Sequence, residues 1–221
     1  MKAAPAMTQK GWAACALAAA WLLVSLLTGC VGTARPPLEI HRYALEYPAP
    51  AFKEKQPLNV AIRINDFEMA RSFKSRGMVY RTKAFLYGED AYNRWRVPPS
   101  EMISDLFARD LRNCGLYQGV FSSNDGENTR YQLSGYIDEF YEMEEGGGSR
   151  AVLALTVSLI DTARPERTGR TIFQKAYRSV QKMEKKGADP FARAMSRGLE
   201  STSSEIILDV HQAIQRHLRS K

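Results

Sequence analysis

Cysteine, histidine and tryptophan are scarce in this chain, with three of each among 221 residues. Three cysteines cannot build the disulfide framework of a small secreted scaffold. His211 and His217 lie six residues apart, about 600° around a helix, so they face different ways, and His41 is remote from both in sequence. No His-Glu-x-x-His, paired Cys-x-x-Cys or Gly-x-Ser-x-Gly occurs. No catalytic, cofactor-binding or metal-binding residue is therefore expected. Long apolar runs are missing after residue 30, which excludes a multi-pass membrane protein. Neither sign of charge dominates: 31 basic against 24 acidic residues give +7, unlike a disordered polyelectrolyte. No repeat of solenoid length is present.

The one long apolar run is at the start. Lys2 and Lys10 precede an uncharged stretch from Trp12 to Leu27, 16 residues long. A bilayer span needs about 20, so this reads as an export signal and not as a structural helix. It closes on Leu27-Thr28-Gly29-Cys30, which resembles the bacterial lipobox. The small residues suit a peptidase cutting between Gly29 and Cys30, and the thiol can carry a thioether-linked lipid. The expected organisation is a signal peptide over 1–29, a lipidated tether over 30–39 and a single domain over 40–221. The resemblance implies diacylglycerol and an N-acyl group on Cys30, and no other cofactor. Several acyl chains make anchoring effectively permanent. Val31, rather than Asp, follows the cysteine. In enterobacterial-type sorting this implies the periplasmic face of the outer membrane.

Removal of the first 29 of 221 residues leaves 192, with 29 basic side chains against 24 acidic. Cys114 is then the only ordinary thiol, and it is expected to sit buried on a helix as a small hydrophobe. Residues 31–38, Val-Gly-Thr-Ala-Arg-Pro-Pro-Leu, have no periodicity and reach about 28 Å at about 3.5 Å per residue. The folded body must therefore stay close to its membrane.

Beyond the tether, strands are expected at 41–47 and at 58–65, where Leu58, Val60, Ile62 and Ile64 alternate with other residues. A polar loop covers 66–77. Segments 78–87 and 91–97 read as a hairpin turning at Gly88-Glu89-Asp90. Pro98-Pro99-Ser100-Glu101 opens a helix with Ile103, Phe107, Leu111 and Cys114 on one face, ended by Gly115. A short strand at 117–122 precedes one in which Tyr131, Leu133 and Ile137 share a phase. Gly146-Gly147-Gly148 connects this to the best-patterned strand, in which Leu153, Leu155, Val157 and Leu159 alternate. A third strand follows at 170–181. Asp189 and Pro190 suit the start of a long final helix with apolar positions from Phe191 to Ile214. The fold class is α+β, a mostly antiparallel sheet of about seven or eight strands with two main helices.

Two other features could suggest chemistry. Asp138, Glu139, Glu142, Glu144 and Glu145 run into a hairpin tip and read as a solvated strand end. The triple glycine precedes a strand, so it lacks the context of a phosphate loop. The basic balance is one that nucleic-acid binders share, but export argues against that partner. It suits an acidic protein or anionic headgroups instead.

The richest segment runs from Gly77 to Pro99, where aromatic residues interleave with arginines. Tyr80, Arg81, Tyr92, Arg94, Trp95 and Arg96 form a candidate partner surface, a composition favoured at interfaces. Cross-strand packing with solvated arginines explains the same pattern equally well.

These residues resemble the ABC-transport auxiliary lipoproteins, the PqiC-like group. The shared order is His41-Arg42-Tyr43-Ala44-Leu45, the strand Leu58–Ile64, Met78-Val79-Tyr80-Arg81, and Tyr92 with Trp95. It continues with the helix opened by Pro99, Leu111 to Gly115-Leu116-Tyr117, and Tyr131-x-Leu133-x-Gly135. The similarity covers about residues 40 to 218, with 66–77 and 142–145 individual to this chain. It implies a non-catalytic, outer-membrane-anchored subunit of a lipid-transport system, partnered by a periplasmic MCE-domain protein and by the membrane itself. A homo-oligomer would suit the end of a channel. The alternatives are an assembly or pilot lipoprotein of another envelope machine, serving a secretin or lipopolysaccharide export, and a lipid-modified hydrolase, for which no polar triad is seen.

Overall fold

The computed structural model describes residues 39–52, 56–125, 128–166 and 169–220. In chain order they form β1 (His41–Tyr43), β2 (Leu58–Ile64), β3 (Glu68–Met69), a 3-10 turn (Arg71–Phe73), β4 (Gly77–Lys83) and β5 (Leu86–Trp95). Then come α1 (Pro99–Asn113), β6 (Tyr117–Phe121), β7 (Tyr131–Glu145), β8 (Gly148–Asp161), β9 (Thr171–Lys182) and α2 (Ala188–Arg219).

The α+β class and the two helices are as expected, but the sheet is mixed. Among the described residues, nine strands make five parallel pairings (β1–β5, β2–β6, β2–β7, β3–β7, β4–β7) and three antiparallel ones. Turn residues and alternation reveal hairpins, which are local and antiparallel. A parallel partner lies far away in sequence and leaves no local mark.

β7 is the long strand that organises the rest. Along one edge it pairs with β8 from Tyr131↔Asp161 to Glu145↔Gly148, and β8 pairs in turn with β9. The connection is tight because Gly146 and Gly147 have φ of 61° and 79°, a left-handed pair that favours glycine. Along the other edge, three short strands lie end to end. β2 meets Tyr131–Leu133, β3 meets Tyr136–Ile137 and β4 meets Glu142–Met143. The segment expected as a loop over 66–77 therefore contains β3 and the 3-10 turn, with Phe67, Met69 and Phe73 buried.

A register shift between Ile137 and Glu139 changes the phase of β7. Tyr131, Leu133 and Ile137 face the helices, and after the shift Phe140 does too, paired with Leu153. Tyr141 is thereby turned to the opposite face, where Phe73 stacks on it at 5.8 Å. Bulges of this kind redirect side chains in just this way.

Both helices lie on one face. α1 starts at Pro99 with Glu101 in its first turn and Arg112 in its last, matching the helix dipole. Met102, Ile103, Phe107 and Leu111 are buried, as is Cys114 at its C-cap. α2 runs for 32 residues, and Phe191, Met195, Leu199, Ile206, Val210 and Ile214 are all buried. Its N-cap is Gly187 rather than Asp189, which instead pairs one turn on with Arg193.

Two buried carboxylates tie the helices down. Asp110 on α1 accepts hydrogen bonds from the Tyr47 hydroxyl at 2.7 Å and from Ser203 on α2 at 2.6 Å. Asp161, at the end of β8, accepts from Arg130 Nε at 3.0 Å, Arg130 Nη2 at 2.7 Å and His217 Nε2 on α2 at 2.8 Å. The bonds from the Arg130 guanidinium hold the Asp161 carboxyl well below the usual carboxylate range; burial opposes this and His217 adds to it.

Hydrogen bonds to a charged group contribute about 1.5–3 kcal/mol, and Arg130, 35% exposed, is partly screened by water. Asp161→Asn should therefore lower unfolding stability by about 2 kcal/mol at neutral pH. The lowered folded-state pKa makes this contribution complete above the unfolded value of about 3.9 and lost as pH falls through the folded one. The gap between wild type and variant in urea unfolding should begin to narrow only below about pH 4 and close only once pH falls below the folded-state value.

Candidate interaction surface

The face of the sheet away from the helices is open, and its residues follow from strand alternation. On β8 and β9 the pairs Arg150↔Lys182, Val152↔Val180 and Ala154↔Arg178 share this side. On β7 and β4, Tyr136, Tyr141, Met143 and Arg81 share it too. The open face carries Arg81, Arg94, Arg150, Arg178 and Lys182, with Glu68, Glu89, Asp138 and Glu139 on the same side.

At its centre is an aromatic cluster. Tyr141 stacks on Phe73, and the Tyr87 ring meets Tyr141 edge-on at 5.5 Å. The Arg81 guanidinium lies 5.3 Å from the centre of the Tyr141 ring, and its Nη2 reaches Met143 Sδ at 2.9 Å. Packing of this kind orders an arginine with its charge still at the surface. Arg178 donates from Nε to Glu139 at 2.7 Å, and this bond raises the arginine further above its ordinary value.

The sequence-based candidates divide between the two faces. Arg81 and Arg94 lie on the open side, and Arg96 is exposed beyond the end of β5. Tyr80 and Tyr92 border a cleft of about 570 Å³ on the helix side, floored by Phe191 and Met78. Trp95 is not at the surface: it is 1% exposed, packed against Phe140 at 5.3 Å and Phe191 at 5.6 Å. Its spacing from Arg94 and Arg96 fits a core position as well as an exposed one, and burial decides the matter.

The hairpin turn also differs from expectation. It lies at Ala84-Phe85, between the paired Lys83 and Leu86, and not at Gly88-Glu89-Asp90. Gly88 is inside β5 because the Tyr80 ring crosses it; a Cβ there would come within 2.5 Å of the ring. Asp90 shapes an irregularity in β5, accepting from the backbone N–H groups of Tyr92 and Asn93 at 2.8 and 2.9 Å.

The acidic run is not uniformly solvated. Glu139 pairs with Arg178, and Glu144 with Lys186 at 2.8 Å. Glu142 is buried in the cleft, and burial pushes its carboxyl above the ordinary value although a bond from Ser149 opposes this. Among the described residues no group of three or more His, Cys, Asp or Glu could hold a metal ion, and no helix is long and apolar enough to cross a membrane. Gly29 and Cys30 lie outside the described residues.

The position of Trp95 predicts an asymmetric response. Trp95→Ala should cost about 3–5 kcal/mol in urea unfolding. Arg94→Ala and Arg96→Ala should each stay within about 0.5 kcal/mol of wild type, so that their effects on binding can be read separately. A Trp95→Ala protein as stable as wild type would contradict the core assignment.

Comparison with known proteins agrees with this architecture. A protein from Xanthomonas campestris, XCC0632, of the DUF330 family, superposes with a TM-score of 0.73 at 14% identity, covering 81% of this chain and 99% of its own. A second solved structure, of an uncharacterized protein, gives 0.61 at 16% identity, covering 78% and 99%. At such identities the likeness shows the shared fold. No curated protein matches the chain by sequence. The sequence model of the ABC-type transport auxiliary lipoprotein component matches residues 43–207, nearly the whole described domain, and the chain belongs to that family.

Proposed function

We propose that this protein is a lipid-anchored, non-catalytic auxiliary subunit of an ABC/MCE-type intermembrane lipid-transport system. It works from the periplasmic face of the outer membrane and supports the integrity of that membrane. The observation that carries the reading is the family match over residues 43–207, in a chain whose first thirty residues end in Leu-Thr-Gly-Cys. The acyl groups on Cys30 hold the domain at the bilayer, and the short tether keeps it within reach. ATP hydrolysis belongs to another chain of the system.

The open face gives docking a physical basis. Ordered arginines beside exposed Tyr87 and Tyr136 suit an acidic, partly apolar surface on a periplasmic MCE-domain partner. Self-association around the end of a channel is compatible with this role. Charge complementarity makes the encounter sensitive to ionic strength.

Gentle-detergent pull-down of tagged protein from separated outer membranes, followed by mass spectrometry, tests the reading. Recovery of an MCE-domain protein with its permease and ATPase is the expected result; recovery of a secretin or a lipopolysaccharide-export component would overturn it. Arg81→Glu combined with Arg94→Glu should weaken MCE recovery at least tenfold without loss of folding. Cys30→Ala should give a folded protein missing from the outer-membrane fraction, because the lipid acts on location and not on the core.

A further inference from the structure

Phe85 is 99% exposed and sits at φ 68°, in the turn between β4 and β5. It is the only residue other than glycine with positive φ among the described residues. A phenylalanine there strains the backbone, and glycine would satisfy the turn better. Full exposure means that no packing within the domain compensates for the strain. Leu86 and Tyr87 follow it, 54% and 47% exposed, so the turn projects an apolar tip from an otherwise polar surface.

Strand directions place this tip. β4 runs parallel to β7, so the β4–β5 turn lies at the same end of the sheet as the Gly146-Gly147 turn. Arg150↔Lys182 is the pairing nearest that end on β8 and β9, and Lys185 and Lys186 follow in the loop to α2. With Lys83 they give five basic residues there against Glu144, Glu145 and Glu184. β1 runs parallel to β5, His41 beside Asn93, so the chain preceding His41 enters from the tip side.

The lengths agree. The eight residues from Phe85 to Asn93 span at most about 26 Å, whereas the eleven from Cys30 to His41 can reach about 38 Å. A lipid on Cys30 can therefore lie level with the tip.

We infer that the β4–β5 turn is a second membrane contact, in which Phe85 and Leu86 enter the interface of the bilayer that holds Cys30 while the surrounding lysines meet anionic headgroups. The inference rests on the lipidation of Cys30 proposed above. Two contacts fix the orientation of the domain, where a flexible tether alone would let it tumble. With this end on the membrane, the strands and α2 point away from it, and the open arginine-bearing face stands to the side, free for a periplasmic partner.

The test uses the full acylated chain in vesicles of phosphatidylglycerol and brominated phosphatidylcholine. Acylation is read by mass and attachment by flotation, so failure of the lipid anchor is seen separately. Phe85→Trp is compared with Leu218→Trp, at the far end of α2, where Leu218 is 39% exposed. In the mature chain the one native tryptophan is the buried Trp95. The tryptophan introduced at position 85 should be quenched at least twofold and shifted to the blue, and that at position 218 should be unaffected. Equal quenching at the two positions, or none at 85 in acylated and floated protein, overturns the inference. Phe85→Gly should fold at least as stably as wild type and stay anchored, but with looser orientation, read as faster proteolysis of the tether in vesicles. Unchanged tether protection in that variant would likewise overturn it.

Discussion

Everything in this domain depends on satisfying both edges of one long strand. β7 spans Tyr131–Glu145, and each backbone N–H and C=O along it needs a partner once the helices remove water from one face. One edge is paired with β8 along its length apart from the bulge at Asp138, through the two-glycine turn that joins them. The other edge has no single partner of matching length. It is covered in pieces by β2, β3 and β4, and the chain between them must bend in and out of the sheet at each join. The join between β3 and β4 holds the 3-10 turn carrying Phe73.

The helices complete only half of the sheet's burial. α1 and α2 cover one face and are anchored there by Asp110 and Asp161, whose lone pairs are taken up by hydroxyl, guanidinium and imidazole donors. Since an uncompensated buried carboxylate is costly, these networks specify how the helices seat as much as they hold them. The opposite face stays in contact with water. Its aromatic cluster forms because a bulge in β7 turns Tyr141 outward under Phe73. A one-sided sheet of this kind separates roles physically: the covered side carries stability, and the uncovered side can change its charges at little cost to the fold.

Much of the secondary structure was legible from local signals. Alternation in Leu153–Leu159, the Pro99 helix start, the Gly146-Gly147 turn and the apolar stripe of α2 each reflect forces acting within a few residues. The candidate surface was legible only in composition. Arginine and aromatic residues concentrate between Gly77 and Pro99, but alternation across an irregular hairpin does not say which of them face inward. The bulge shaped by Asp90 and the real turn at Phe85 shifted the register, and Trp95 went to the core while Arg94 went to solvent. The three-residue step between Ile137 and Phe140 breaks the phase of the strand in the sequence itself, and it is the signal that points to the turned-out Tyr141.

By itself the sequence determined the α+β class and the two helices, because turns and periodicities are properties of neighbouring residues. Only the tertiary structure decided that the sheet is mixed, that Trp95 is buried, that Glu142 lies in a cleft and that Phe85 stands alone at a tip. Each of those depends on which distant strand meets which, and a parallel edge contact between residues some sixty positions apart, such as Arg81 with Met143, leaves no trace in either segment alone.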